Sequence, residues 1–111
     1  MKVKNWNELD TVPMFNLVSR KSFSGSSLTV AQVNLGKGSV VPGHSHPNEQ
    51  VTVVLKGKVL FTGENEGKTA TAGDIVHTPP GAYHTVSALE DSLVLDIFSP
   101  ARSDWPESCK T

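Results

Sequence analysis

What this chain lacks narrows its class before any motif is read. Cysteine is almost missing: Cys109 is the only one in 111 residues. No internal disulfide can therefore staple the fold, and the thiol reads as exposed and without a role. Long apolar runs are missing as well. No window approaches the ~20 apolar residues of a bilayer-spanning helix, and the opening Met1-Lys2-Val3-Lys4-Asn5-Trp6-Asn7-Glu8 holds no apolar stretch of signal-peptide length. These absences predict a cytoplasmic protein with no membrane partner. An excess of either charge is missing too, since ten Lys and Arg stand against eleven Asp and Glu for a net charge of −1. No basic run exceeds Arg20-Lys21, so nothing marks a nucleic-acid partner. What remains as a partner is a small molecule or a second copy of the chain. Charged residues make up 19%, below the ~25% of ordinary globular chains, and helical periodicity is scarce. Disorder and coiled coil are both excluded.

Turn formers are plentiful, with nine Gly and seven Pro. Between them lie short apolar or alternating runs: 27–35, 49–56, 58–62, 74–78, 83–87 and 92–98. Strands this short, with no helical segments between them, predict an all-β antiparallel sandwich or barrel rather than βαβ units. The only helical turn predicted lies near Asn5–Leu9, and 99–111 reads as an irregular tail. At this length one core is expected, burying roughly two-thirds of the unfolded surface. Residues 1–111 are therefore read as a single domain.

The richest stretch is Gly38-Ser39-Val40-Val41-Pro42-Gly43-His44-Ser45-His46-Pro47-Asn48-Glu49-Gln50. In extended chain the side chains alternate faces, so His44 and His46 project to one side and can meet one metal ion. Gln50 shares their parity and Glu49 does not. A second stretch, Gly73-Asp74-Ile75-Val76-His77-Thr78-Pro79-Pro80-Gly81-Ala82-Tyr83-His84, brings His84 after a Pro-Gly turn that can return an imidazole to the first two. His77 falls outside this spacing and reads as an ordinary strand residue.

The first stretch resembles the first cupin motif, G-x5-H-x-H-x3-E-x6-G, at Gly38, His44, His46 and Gly57, with Gln50 in the place of Glu. The second resembles the other cupin motif, G-x5-P-x-G-x2-H-x3-N, at Gly73, Pro79, Gly81 and His84, with Ala88 in the place of Asn. The two motifs occupy 38–57 and 73–88. The resemblance implies a jelly-roll barrel, the double-stranded β-helix of cupins, with a metal in its mouth. Asp96-Ile97-Phe98-Ser99-Pro100-Ala101-Arg102, taken with the His-Ser-His-Pro-x-Glu-Gln run, is similar to the small single-domain cupins of the KdgF type, associated with pectin and alginate degradation. That resemblance implies His44, His46, Gln50 and His84 as metal ligands and Asp96, Phe98 and Arg102 as the substrate side. It also implies dimers, to which Trp6 and Trp105 are candidate contributors.

Three imidazoles and an amide suit one divalent transition ion, Ni, Zn, Fe or Mn, better than Ca or Mg. Four neutral ligands leave the ion's full charge uncompensated, which favours an anionic ligand, and Arg102 adds a fork for a carboxylate. Asp96, inward with Val94 and Phe98, is the candidate general acid/base. The function expected is ring opening and tautomerisation of a 4,5-unsaturated uronate. Two alternatives stand beside it: an Fe- or Mn-dependent oxygenase, with Glu49 as the fourth ligand, and a non-catalytic binding or sensor module. Asp96 could equally be a structural partner of Arg102, Phe98 plain core, and Arg102 solvated.

Overall fold

The computed structural model describes residues 1–105; Cys109 and the end of the predicted tail lie outside the described residues. A capping box opens the chain. Asn5 Oδ1 accepts from the Asn7 N–H, and the Asn5 N–H donates to Glu8 Oε1, each at 3.0 Å, closing a 3-10 turn over Trp6–Glu8.

Ten strands follow: β1 (Val12–Phe15), β2 (Val18–Ser24), β3 (Thr29–Leu35), β4 (Val40–His44), β5 (Glu49–Lys56), β6 (Lys58–Thr62), β7 (Gly67–Thr71), β8 (Ile75–Thr78), β9 (His84–Ala88) and β10 (Ser92–Ser99). They form a six-stranded sheet, β1-β2-β3-β10-β5-β8, facing a four-stranded one, β4-β9-β6-β7. All pairings are antiparallel.

The inward face of each strand is set by simple alternation, as period-two chain requires. Along β10, Ser92, Val94, Asp96 and Phe98 are buried while Leu93, Leu95 and Ile97 are half-exposed. Val18, Ala31, Val33, Leu35, Val54, Val59, Phe61, Ala70, Ala88, Val94 and Phe98 make one core between the sheets. Phe98 is the largest fully buried side chain, worth about 2–3 kcal/mol by its burial alone.

The β5–β6 corner needs Gly57. Its φ is +94°, and a Cβ there would meet the Asp91 carbonyl and the Ser92 side chain. Past β10, two anchors hold the chain against the barrel: Asn48 Nδ2 donates to the Pro100 carbonyl at 2.6 Å, and the Arg102 N–H donates to Thr29 Oγ1 at 2.9 Å. Arg102 and Trp105 are thereby laid over Phe98.

Candidate metal centre and pocket

His44 ends β4 and His84 begins β9, and the two are direct register partners across the four-stranded sheet. His46 lies in the link that carries the chain from β4 to β5 in the other sheet. Their ligand atoms all fall within 4.8 Å of one another. The three histidines are thus positioned to bind a metal ion.

Their orientation is fixed from behind. Nδ1 of His44 lies 2.7 Å from the Pro42 carbonyl, Nδ1 of His46 3.0 Å from that of Asn48, and Nδ1 of His84 3.0 Å from that of Ala82. A carbonyl only accepts, so each Nδ1 carries the proton and each Nε2 keeps its lone pair. This backing is what ligating histidines require.

Gln50, on β5, completes the polar end. Its Nε2 donates to Thr52 Oγ1 at 2.9 Å and to Asp96 Oδ1 at 3.1 Å, which turns Oε1 onto His46 Nε2 at 2.9 Å. Two acceptors therefore face each other. A proton or a cation must lie between them, and burial, the main influence on His46, pushes its pKa below 6.5 and disfavours the proton. The donor set fits a cation. Burial lowers His84 in the same way.

Asp96 is buried on β10 and accepts from Thr52 Oγ1 at 2.6 Å as well as from Gln50, both bonds falling on Oδ1. Burial pushes its pKa up to about 6, against the two hydrogen bonds, which pull it down. Arg102 is not its ion-pair partner. The guanidinium grips Asp104, two residues on, through Nε to Oδ1 at 3.1 Å and Nη2 to Oδ2 at 2.6 Å. That fork holds the Asp104 carboxyl below its ordinary value. Nor is Arg102 solvated, with only 10% of its side chain exposed. It lies 4.8 Å from the Phe98 ring centroid and 4.2 Å from that of Trp105.

Phe98 belongs to the core and also lines a cavity beside the histidines. Its ring stands edge-on to His46 at 5.6 Å and to Trp105 at 5.0 Å. Trp105 packs against the core, and Arg20 of β2 lies 4.7 Å from the same indole. Glu49 points outward and pairs with His77 at 2.7 Å, both about half exposed. Tyr83 is exposed, with its hydroxyl close against Gly43, so that a Cβ there would require the tyrosine side chain to move.

A cavity of about 360 Å³ opens beside the cluster, reached by His44, His84, Gln50, Asp96, Phe98 and Arg102. Three contributors were not singled out from the sequence. Thr52 and Asn48 share the inward parity of His44, His46 and Gln50, a signal that was there to read. Asp104 carried none, because a carboxylate two residues from an arginine is ordinary in solvated chain.

Comparison with known proteins agrees with this architecture. The cupin domain family matches residues 31–98. The chain belongs to that family. Within it the chain is a KdgF-like cupin: it is 30% identical over 91 residues to the pectin degradation protein KdgF of Dickeya dadantii, covering 79% of this chain and 83% of that one. The solved structure of KdgF from Halomonas sp. superposes with a TM-score of 0.82 at 32% identity, over 88% of this chain and 94% of the other. An RmlC-like cupin from Shewanella frigidimarina reaches a TM-score of 0.86 at 24% identity, over 92% and 93% of the two chains, a likeness of fold. The auxin-binding protein ABP19b of Prunus persica is 34% identical over 67 residues, 55% of this chain, and the match spans only 32% of that protein's length. Among the described residues no helix is long and apolar enough to cross a membrane.

Proposed function

We propose that this chain is a metal-dependent isomerase of uronate breakdown, opening the ring of a 4,5-unsaturated uronate and converting the resulting enol to a ketone. One observation carries the reading: three Nε2 lone pairs and an amide oxygen converge beside a carboxyl group whose pKa lies near 6 and a guanidinium that reaches the same cavity. The kinship with KdgF supports it.

His44, His46, His84 and Gln50 would hold one divalent transition ion. Such an ion supplies Lewis acidity to substrate oxygens. Arg102 binds the substrate carboxylate, exchanging part of its grip on Asp104 for the new partner. Phe98 and Trp105 hold the guanidinium in place and keep water from one side of the site. Asp96, fixed through Oδ1 by Thr52 and Gln50, offers Oδ2 to carry the proton from the enol oxygen to the neighbouring carbon. The conversion is an isomerisation, so no atom or electron is gained or lost.

The metal-loaded protein mixed with unsaturated uronate under nitrogen should remove the ultraviolet absorbance of the C4=C5 bond. Loss only in the presence of oxygen would favour the oxygenase reading, and no loss with any unsaturated uronate would favour a binding module.

A further inference from the structure

Phe15 breaks the alternation of its strand. Val12 pairs with the buried Arg20, so plain period-two chain would turn Met14 inward and Phe15 outward. The register slips instead: Pro13 pairs with Ser19 and Phe15 with Val18, so two steps of β1 answer one of β2. A bulge of this kind re-aims the side chain that follows it. Directly paired residues share a face, and Val18 is core at 2% exposure. Phe15 therefore faces inward. It is nonetheless 44% exposed and does not belong to the packed cluster, and it lines the cavity that His44, Asp96 and Arg102 reach.

Its place in the fold explains the combination. β1 is the edge of the six-stranded sheet and β4 the edge of the four-stranded one. Both border the cavity, β1 through Met14 and Phe15, β4 through Val41, Pro42, Gly43 and His44. Side chains alternate along a strand, so a cavity that meets four residues in a row runs along the strand's edge. Edge strands leave backbone N–H and C=O groups without a sheet partner. Next to the polar end the cavity thus offers an open aromatic ring together with backbone hydrogen-bonding groups. A pyranose ring matches that pairing, since it carries hydroxyls around its rim and C–H groups on its faces.

We infer that Phe15 is a specificity-determining residue, packing its ring against a face of the sugar while Arg102 and the histidine end hold the carboxylate. This rests on the reading that the pocket takes a uronate. It adds the group that tells a cyclic sugar acid from an acyclic acid of the same charge. The polar end reads the carboxylate, and Phe15 reads the ring.

Calorimetric titration of the metal-loaded protein with two acids tests it. Galacturonate is a cyclic uronate with no C4=C5 bond to react, and glycolate keeps a carboxylate and its neighbouring oxygen without a ring. Phe15→Ala should weaken galacturonate about three- to tenfold and leave glycolate unchanged. Phe15→Tyr, which keeps the ring, should bind galacturonate as wild type does. Phe15→Leu keeps most of the volume without the flat face, and should show a smaller loss in the same direction if the alanine variant does not fold. In turnover the loss should fall on KM, with kcat little changed. Equal weakening of both acids would reduce Phe15 to a wall residue and overturn the proposal. So would an unchanged galacturonate affinity in the alanine variant, or no galacturonate binding by wild type. Turnover of unsaturated uronate with a KM that Phe15→Ala leaves unmoved would sink this inference alone, whereas the galacturonate loss without any turnover would sink the isomerase reading alone.

Discussion

Asp96 is the residue on which opposing effects meet. Burial raises its pKa to about 6, while the Thr52 and Gln50 hydrogen bonds stabilise the ionised form. Its folded pKa lies above the ~3.9 of an unfolded aspartate, so the stability it contributes is full below about pH 4 and is lost as pH rises through 6. Asp96→Asn keeps an oxygen able to accept both bonds. Relative to wild type, the metal-free variant should gain about 1.5 kcal/mol more at pH 8 than at pH 5 in urea denaturation. Taking the difference between the two proteins cancels His46 and His84, whose lowered pKa values work the other way. The same variant should reduce turnover to background while elemental analysis finds the metal content unchanged. Undiminished turnover would remove Asp96 from the chemistry. Arg102 offers a second test at this scale. The exposed Asp104 holds its fork, and an ion pair of that kind is worth about 0.5–1 kcal/mol. Asp104→Asn should therefore lower KM for an anionic substrate about two- to fivefold with kcat little changed, and a raised KM would mean that Asp104 positions the arginine rather than competing for it. The inward set of His44, His46 and Gln50 was legible from parity alone. The Asp104 contact was not, because it depends on Asn48 and Thr29 pinning the tail from distant parts of the chain.

At the level of elements, the strands read from sequence are those with aliphatic runs or clean alternation. β5 and β6 match their predicted bounds, β3, β8, β9 and β10 shift by one or two residues, and the turn near Asn5 is present. The strands not foreseen share a physical reason. β1, β4 and β7 are edge strands, covered on one side only. β1 and β4 carry Pro13 and Pro42, which sheet interiors exclude, and β7 buries only Ala70. β2 is internal, but its inward face is Val18, Arg20 and Ser22, so its alternation is not apolar against polar. The turns were easier to foresee because backbone geometry demands particular residues. The motif positions Gly38, Gly57, Gly73 and Gly81 are the four glycines with positive φ. Gly57 is the most constrained of them, since side-chain space and backbone both oppose substitution. Gly57→Ala should cost about 2–4 kcal/mol from strain and overpacking, lowering Tm by roughly 10–20 °C. A thermal melt within a few degrees of wild type would show that the β5–β6 corner can relax around a Cβ.

For the whole molecule, the placement of the cluster matters more than its composition. His44 and His84 belong to the four-stranded sheet, Gln50 to the six-stranded one, and His46 to the link between them. An ion held there would tie the two sheets together at the mouth of the barrel, where the core gives way to the cavity. Binding to the folded state alone stabilises by about 2.7 kcal/mol at a free ion concentration one hundred times Kd, which for a domain of this size is a rise in Tm of roughly 10–20 °C. Nickel or zinc added to chelator-treated protein should produce that shift. Calcium, which prefers a shell of oxygens, should not. His84→Ala should abolish it by removing one sheet's contribution, and so should acid, since a ligating imidazole must be neutral and acid protonates it. A Tm indifferent to nickel, zinc, iron and manganese at neutral pH would mean that the three imidazoles converge without holding an ion, and the anionic-ligand argument would then rest on Arg102 alone.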